Sequence, residues 1–595
     1  MYILGISCFY HDSAAALLKD GELVAAAMEE RFSRKKHDNG FPKQAIDFCL
    51  KQAGITGADL DYAVFYEKPL VKFERILLTT LGMYPRSHAF WRDAIVNWLN
   101  EKLWVKSIIQ KEVGVRYDRI LFCDHHMSHA ASAFFASPFD EAAVLTVDGV
   151  GEWTTTTTGV AKAVWEGQPG ENAITLLHEE RFPHSIGLLY SAFTAYLGFR
   201  VNNGEYKVMG MAPYGQPRYV DKVMKLFQQA DDGSFRLNMD YFSYHYSATD
   251  TYNQKFVDLF GPPRPPESDF FTMATNPERS AERAAMAENQ RYADIAASIQ
   301  QVTEDALIRI ANHLYAQTGQ KKLVMAGGVA LNTKANWRLL NETPFEEIYI
   351  QPAAGDDGGA LGAALWAYHL VLKQPRKWVM PHAYWGKGYS DGEIADFLRQ
   401  RGLKYEDHSA NDDRLLDIVA EALTQEKVVG FMQGRFEWGP RALGNRSILA
   451  DPRFDAMKEV VNTKIKFREP FRPFAPVILR ERAAEYFDYP DVARHEAPRY
   501  MLMVSPIKSD KQDRIQAVCH MGTGRLQTIE RETNPRYYGV VERFGQITGV
   551  PVVLNTSFNL RGEPIVSSPK DAFNTFKNSD LDLLVLGPFL VRKPL

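Results

Sequence analysis

Asp124-His125-His126-Met127-Ser128-His129 is the stretch of this chain whose residue types and spacing most plainly offer chemistry. Asp124, ahead of the alanine-rich run that follows, can cap a helix N-terminus. His125 and His129 then lie one turn apart on one face, the spacing two imidazoles need to share a metal ion. His126 points about 100° away round the helix and is left out. A zinc-protease helix carries glutamate directly after its first histidine; here that position is His126, so this hydrolytic chemistry is excluded. Carboxylates from turns elsewhere would complete a mixed nitrogen and oxygen site suited to iron, manganese or zinc. The candidates are Asp148 in Asp148-Gly149-Val150-Gly151, and Asp356 or Asp357 in Gly355-Asp356-Asp357-Gly358.

A second chemistry is written near the C-terminus in arginine and lysine. Arg435, Arg441 and Arg446 stand among turn residues, and Lys464, Lys466, Arg468 and Arg472 follow closely. Beyond them come Gly522-Thr523-Gly524-Arg525 and Asn555-Thr556-Ser557-Phe558-Asn559. Guanidinium forks beside Ser, Thr and Asn donors suit a small phosphorylated or carboxylate-like ligand. Glycine-rich turns at Gly149/Gly151, Gly327-Gly328 and Gly355 to Gly362 each follow a strand-like run, where backbone N–H groups can face phosphates. None spells a Walker or dinucleotide fingerprint; together they point to an ATP site of the actin-like type.

These residues need an α/β scaffold to position them. Tyr2 to Ser7 reads as a strand, followed by the polar turn Tyr10-His11-Asp12-Ser13 and a hairpin, Ala14 to Leu18 and Leu23 to Met28, joined at Asp20-Gly21. Strand, acidic turn and hairpin recur at Ala142 to Val147, Asp148 to Glu152 and Gly159 to Val164, which predicts two related halves. Ile295, Ile299, Val302, Leu307, Ile310 and Leu314 predict a long helix, and Leu323 to Asn332 a buried strand entering a glycine turn. Residues 235–290 are irregular and read as a loop or lid. Between Gln374 and Gly388 the apolar periodicity lapses. The expected domains are therefore 1–375 and 388–595.

At 595 residues, 45% of them hydrophobic and 24% charged, the chain can bury a sizeable core. A formal net charge of -4 gives no electrostatic footprint for nucleic acid. The four cysteines are far apart with no CxxC pair, which favours a reducing compartment. The start of the chain has no secretory pattern, and the most apolar stretch, Gly187 to Phe199, is too short to span a bilayer. A soluble cytoplasmic enzyme is the expectation, with neither nucleic acid nor membrane as partner.

Taken together, the motifs resemble the NodU/CmcH family of O-carbamoyltransferases. The resemblance is carried by Gly5 to Ala16, Glu29-Glu30-Arg31-Phe32, His125 to His129, Asp148-Gly149, Asn203 to Gly210, Gly327 to Asn332 and Gly355-Asp356. In the C-terminal part it is carried by Gly439 to Gly444, Arg468 to Pro473 and Asn555 to Asn559. It implies an N-terminal actin-like duplicated domain and a C-terminal YrdC-like domain. It implies ATP and carbamoyl phosphate as substrates, carbamoyl adenylate as intermediate, a hydroxyl-bearing small molecule as acceptor, a metal usually taken as iron, and a homodimer.

Carried over by motif, His125, His129, Asp148 and Asp356 are the metal ligands, with Asp357 the competing choice. Arg441, Lys466, Arg525 and Ser557 hold carbamoyl phosphate, Arg441 and Lys466 acting in its activation. Asp12, Gly151, Gly327, Gly328 and Asn332 lie near the nucleotide, and His11 beside the acceptor, where an imidazole can take a proton. A tRNA- or protein-modifying carbamoyltransferase is the rival, disfavoured by the missing CxxC pairs and the charge. An actin-like ATPase or scaffold would have no use for the histidine pair or the C-terminal arginines.

Overall fold

The computed structural model describes residues 1–593 apart from 101, 467, 470 and 490. Phe467 and Pro470, both in the basic stretch from Lys464 to Pro473, lie outside the described residues. Contacts divide the chain into two compact units: Met1–Val24 with Asn39–Val379, and Ala25–Asp38 with Met380–Leu595. The division falls between the two expected domains, but assignment of Ala25–Asp38 to the second unit was not foreseen.

The first unit carries two sheets. The first uses β1 (Tyr2–Ser7), β2 (Ala14–Lys19), β3 (Glu22–Met28, whose residues from Ala25 on are counted with the second unit), β4 (Tyr62–Phe65) and β5 (Ile120–Phe122) in the order β3-β2-β1-β4-β5. The second uses β6 (Glu141–Val147), β7 (Thr154–Lys162), β8 (Ala173–Arg181), β11 (Lys322–Ala326) and β12 (Glu347–Ile350) in the order β12-β11-β6-β7-β8. A small ribbon of β9 (Phe227–Gln229) and β10 (Phe235–Leu237) lies between them in sequence. The two orders are the same. In each, the first strand is central, antiparallel to the second and parallel to the fourth. The duplication expected from the recurring strand-turn-hairpin is present, and the unit has the actin-like α/β plan. Buried Ile3, Leu4 and Ile6 on β1, and Val144, Leu145 and Val147 on β6, are apolar on both faces because each central strand is covered on both sides.

Each half follows its last strand with a helix, α1 (His125–Phe134) after β5 and, in the second half, α3 (Asp356–Trp366) after β12. Between them in sequence runs α2 (Arg283–Thr318), the predicted long helix, which starts inside the stretch expected to be irregular. Arg283-Ala284-Ala285-Met286-Ala287 is good helix-forming sequence, and the prolines that stop regular structure end earlier. α1 and α3 pack directly on each other. Glycine allows the approach: a Cβ on Gly362 would stand 1.8 Å from the Ser128 carbonyl oxygen.

The second unit is built round a nine-stranded mixed sheet. Its strands are β13 (Glu406–Asp407), β14 (Val429–Met432), β15 (Arg446–Ala450), β16 (Ala475–Leu479), β17 (Met503–Pro506), β18 (Thr523–Ile529), β19 (Val552–Ser557), β20 (Leu583–Leu586) and β21 (Phe589–Arg592). Their order is β13-β21-β20-β14-β15-β19-β16-β18-β17. Helices α4 (Asp412–Thr424) and α5 (Pro535–Thr548) bury Leu416, Val419, Val541 and Phe544 against Val477 and Val553. The early segment is tied in by two arginines. Arg31 Nη2 donates to the Gly439 carbonyl at 2.8 Å, and Arg34 donates to the carbonyls of Ile565 (2.6 Å) and Pro564 (2.9 Å).

Among the described residues no disulfide forms, and no helix is long and apolar enough to cross a membrane. The α1–α3 contact generates a test. Gly362→Ala should destabilise the protein by about 1–3 kcal/mol, the usual cost of overpacking. A denaturant midpoint equal to that of the parent protein would show that the contact has room to give.

Candidate active site

The two helices meet at their N-termini. His125 and Asp356 are each the first residue of their helix, and His129 follows one turn into α1. Their side-chain atoms converge with Asp148, the residue after β6. His125 Nε2 stands 3.2 Å from Asp148 Oδ2 and 3.1 Å from His129 Nε2. Asp356 Oδ1 is 3.6 Å from His125 Nε2 and 3.5 Å from His129 Nε2, and Asp148 Oδ2 is 3.9 Å from His129 Nε2. All four side chains are buried.

Ligand atoms bound at about 2.1 Å to a four-coordinate ion stand roughly 3.4 Å apart. The measured edges bracket that value. Both carboxylate oxygens of Asp356 are buried without a hydrogen-bond donor, an arrangement that leaves acceptors for a cation. Burial opposes charge on His125, yet Asp356, Asp148 and Glu152 outweigh it and raise its pKa to about 9. Burial likewise opposes charge on Asp148, but the two histidines and the Gly328 N–H hold its carboxyl well below the usual range. The donor set fits a divalent ion. Asp356 rather than Asp357 contributes an atom to it; burial, Asp12 and Asp356 push the Asp357 carboxyl up to about 7.

Neighbouring loops hold the ligands in place. The expected cap, Asp124, makes no capping hydrogen bond; its carboxylate pairs with Lys68 at 2.8 Å. Glu152 serves instead, accepting the His125 N–H at 3.1 and 3.2 Å and the Lys68 N–H at 2.8 Å. Its longer side chain reaches across from the turn after β6. A Cβ on Gly151 would meet the His125 ring at 2.8 Å, so the glycine there makes room for the ligand. Asp148 Oδ1 accepts the Gly328 N–H at 2.9 Å. Gly327 precedes that turn. Asn332 caps the next helix through the Ala335 N–H (3.1 Å) and pairs with Gln300.

His11 reaches the rim of the cluster, its Nε2 3.9 Å from Asp356 Oδ2 and its Nδ1 2.7 Å from Asp12. Burial would lower its pKa, but Asp12 and Asp356 raise it to about 10. It therefore stands as a cation at neutral pH. Of the five expected nucleotide residues, Gly151, Gly328 and Asp12 touch the ligands or His11, while Asn332 lies in the Gln300 network.

In the second unit one sheet face changes character along the strands. On β19, Val553, Asn555 and Ser557 share a face; on β18, Arg525, Gln527 and Ile529 do. Val553 and Ile529 lie in the core under α4 and α5. Toward the other end Asn555 donates to Gln527 at 2.7 Å across the small Ala475 of β16, which pairs with Asn555. Lys466 Nζ reaches Ser557 Oγ at 3.1 Å and Asn559 Oδ1 at 2.7 Å. Arg441 sits in the adjoining loop, one residue before Ala442, whose carbonyl accepts from Asn555 at 3.1 Å. Buried Glu437 shapes that loop by accepting the N–H groups of Leu443 (2.8 Å), Asn445 (2.8 Å) and Arg446 (3.1 Å).

A family model described as carbamoyltransferase N-terminus matches residues 2–365, and one described as carbamoyltransferase C-terminus matches residues 420–593. The chain belongs to the carbamoyltransferase family. An uncharacterized protein of Synechocystis sp. is 47% identical over all of this chain and 97% of its own length. The nodulation protein NolNO of Sinorhizobium fredii is 37% identical, over 98% of this chain and 79% of its own. Among solved structures, HypF of T. kodakarensis aligns with 63% of this chain and 48% of its own at 13% identity and a TM-score of 0.30, a likeness too distant to carry function.

In this carbamoyltransferase several working residues escaped sequence reasoning. Glu152 and Glu437 act on backbone groups and Gln527 is a neutral strand residue; none has a local signature. Asn555 and Asn559 carried a signal, because they open and close the Asn555-to-Asn559 motif on either side of Ser557. The cluster geometry separates the adjacent acids. Asp356→Asn should lower metal affinity by more than the roughly 10–100-fold typical of outer-shell changes, whereas Asp357→Asn should leave metal content unchanged. Metal analysis of the two purified variants decides it, and equal losses would contradict the ligand set.

Proposed function

We propose that this carbamoyltransferase forms carbamoyl adenylate from carbamoyl phosphate and ATP in its second unit. Its first unit then transfers the carbamoyl group to a hydroxyl of a small-molecule acceptor. The observation that carries the reading is the buried His125, His129, Asp148 and Asp356 quartet, four donors gathered from both halves of the duplicated unit at a spacing that suits an ion.

In the second unit, Lys466, Arg441 and Arg525 would neutralise the carbamoyl phosphate dianion so that it can meet ATP. Ser557 and Asn559 would orient it through the hydrogen bonds they share with Lys466. Water would cleave carbamoyl phosphate to carbamate and phosphate, a carbamate oxygen would attack the ATP α-phosphorus and displace pyrophosphate, and AMP would leave when the acceptor hydroxyl attacks the carbamoyl carbon. In the first unit, His125, His129, Asp148 and Asp356 would hold iron, manganese or zinc, whose Lewis acidity polarises a carbonyl or phosphoryl oxygen. Glu152 fixes the axis of α1 and so the direction of both histidines. His11, held by Asp12, carries its proton at the rim. It can stabilise negative charge as it stands, and Asp12, the larger cause of its raised pKa, keeps the proton on it.

Two measurements test this. Purified protein with ATP and carbamoyl phosphate should release pyrophosphate in a carbamoyl phosphate-dependent manner, with or without candidate acceptors. Formation of ADP alone, under both conditions, would overturn the adenylate step. The second concerns Lys466. Burial and the nearby Arg468, Arg472 and Lys36 push its pKa well below the usual lysine range, whereas a bound dianion favours the ammonium form. Binding should therefore take up a proton, and carbamoyl phosphate affinity should fall as pH rises. Calorimetric titration in two buffers of different ionisation enthalpy reads that uptake directly; identical heats would mean that Lys466 is already charged.

A further inference from the structure

The helix Pro69–Gly82 is inside out. Soluble helices turn their apolar stripe inward, but here Lys72 and Arg75 are 6% and 7% exposed in total, while Leu70, Leu78 and Leu81 are 71%, 50% and 64% exposed. The charge on Lys72 is accounted for by Glu67, 2.6 Å away. Arg75 has no such direct pair. Its Nη1 donates to the Gly151 carbonyl at 3.2 Å and its guanidinium lies 5.0 Å from the centre of the Phe182 ring. No carboxylate pairs with it among the described residues. Glu67 and Glu152 favour its charge from a distance, but a guanidinium has five N–H donors, and a buried one with no directly bonded anion leaves a place for a ligand to supply it.

The position is informative. Gly151, whose carbonyl Arg75 holds, abuts the His125 ring, and the Asp148–Gly151 turn also carries a candidate metal ligand. Tyr10 comes to the same turn from the other side: a Cβ on Gly149 would stand 3.7 Å from its hydroxyl oxygen. Lys72 Nζ lies 5.1 Å from the centre of the Tyr10 ring, and burial with Asp148 and Asp356 nearby pushes the Tyr10 hydroxyl far above its usual pKa, so it stays a neutral donor. Burial lowers the pKa of Arg75 to about 10, which leaves it cationic at neutral pH.

We propose that Arg75 and the Tyr10 hydroxyl form an anion subsite beside the His125–Asp148 cluster, and that it holds a phosphate or carboxylate group of a reactant in the first unit. The proposal rests on transfer taking place in that unit. Two sources offer such a group: the phosphate of the adenylate, or an anionic substituent on the acceptor.

The test uses the full chain carrying Arg441→Ala, which silences the anion platform of the second unit, and titrates it with inorganic phosphate by calorimetry. A remaining phosphate site is expected. Adding Arg75→Gln, which keeps a donor toward the Gly151 carbonyl, should weaken that site about tenfold or more, the scale of a lost charge-assisted pair. Arg75→Lys should retain part of the affinity, because charge survives without the fork, and Tyr10→Phe should cost a few-fold through one hydroxyl. AMP is the second probe. Loss of AMP affinity in step with phosphate assigns the group to the adenylate, and unchanged AMP affinity with phosphate lost assigns it to the acceptor. No phosphate site in the Arg441→Ala chain, or one indifferent to all three further substitutions, overturns the proposal. The readout needs neither ATP nor carbamoyl phosphate, so it is independent of whether adenylate forms.

Discussion

Four buried, mutually opposed donors can be neighbours only if two helix N-termini are forced together. That constraint organises the first unit. α1 and α3 descend from equivalent places in the two halves, and each contributes its first residue, His125 or Asp356, to one point. The approach depends on Gly362 offering no side chain to Ser128. It depends equally on Glu152, which meets the N–H of His125 at the positive end of α1. An acid in the first turn of α3 and acids facing the start of α1 suit the two helix dipoles, so electrostatics and packing favour the same arrangement. His125 and Asp148, 3.2 Å apart, stabilise each other's charge.

The second unit meets a related problem by dividing a sheet face lengthwise. Apolar Val553 and Ile529 give way within one or two pleats to Asn555, Ser557, Gln527 and Arg525. The helices α4 and α5 cover the apolar end, so the sheet is held firmly where nothing need bind. At the polar end side chains bond pairwise, Asn555 with Gln527 and Ser557 with Lys466, while Asn555 Oδ1 is left buried without a donor. The small anion proposed for this end would exchange existing hydrogen bonds rather than create order from a loose loop, since Glu437 has already fixed the loop that carries Arg441.

Much of this was legible in the residues. The i,i+4 histidines, the acid-glycine turns and the recurring strand-turn-hairpin are local patterns with one geometry each, and the α/β class and the duplication follow from them. What the residues withheld was non-local. Asp124 satisfied every local rule for a cap and was displaced by Glu152 from another loop. Asp356 and Asp357 are equivalent as letters and differ only in the direction they leave the helix. Residues 25–28 read as ordinary strand, and nothing in their composition says which unit they join. The start of α2 was missed because the prolines before it dominated the reading of 235–290.

The early segment Ala25–Asp38 has a consequence for how the chain matures. Arg31 and Arg34 bond to carbonyls near residues 439 and 565, so these residues leave the ribosome hundreds of positions ahead of their partners. During synthesis the second unit cannot close until its last strands emerge. A fragment begun at the composition boundary near residue 380 would lack that brace permanently, although every one of its own strands would be present.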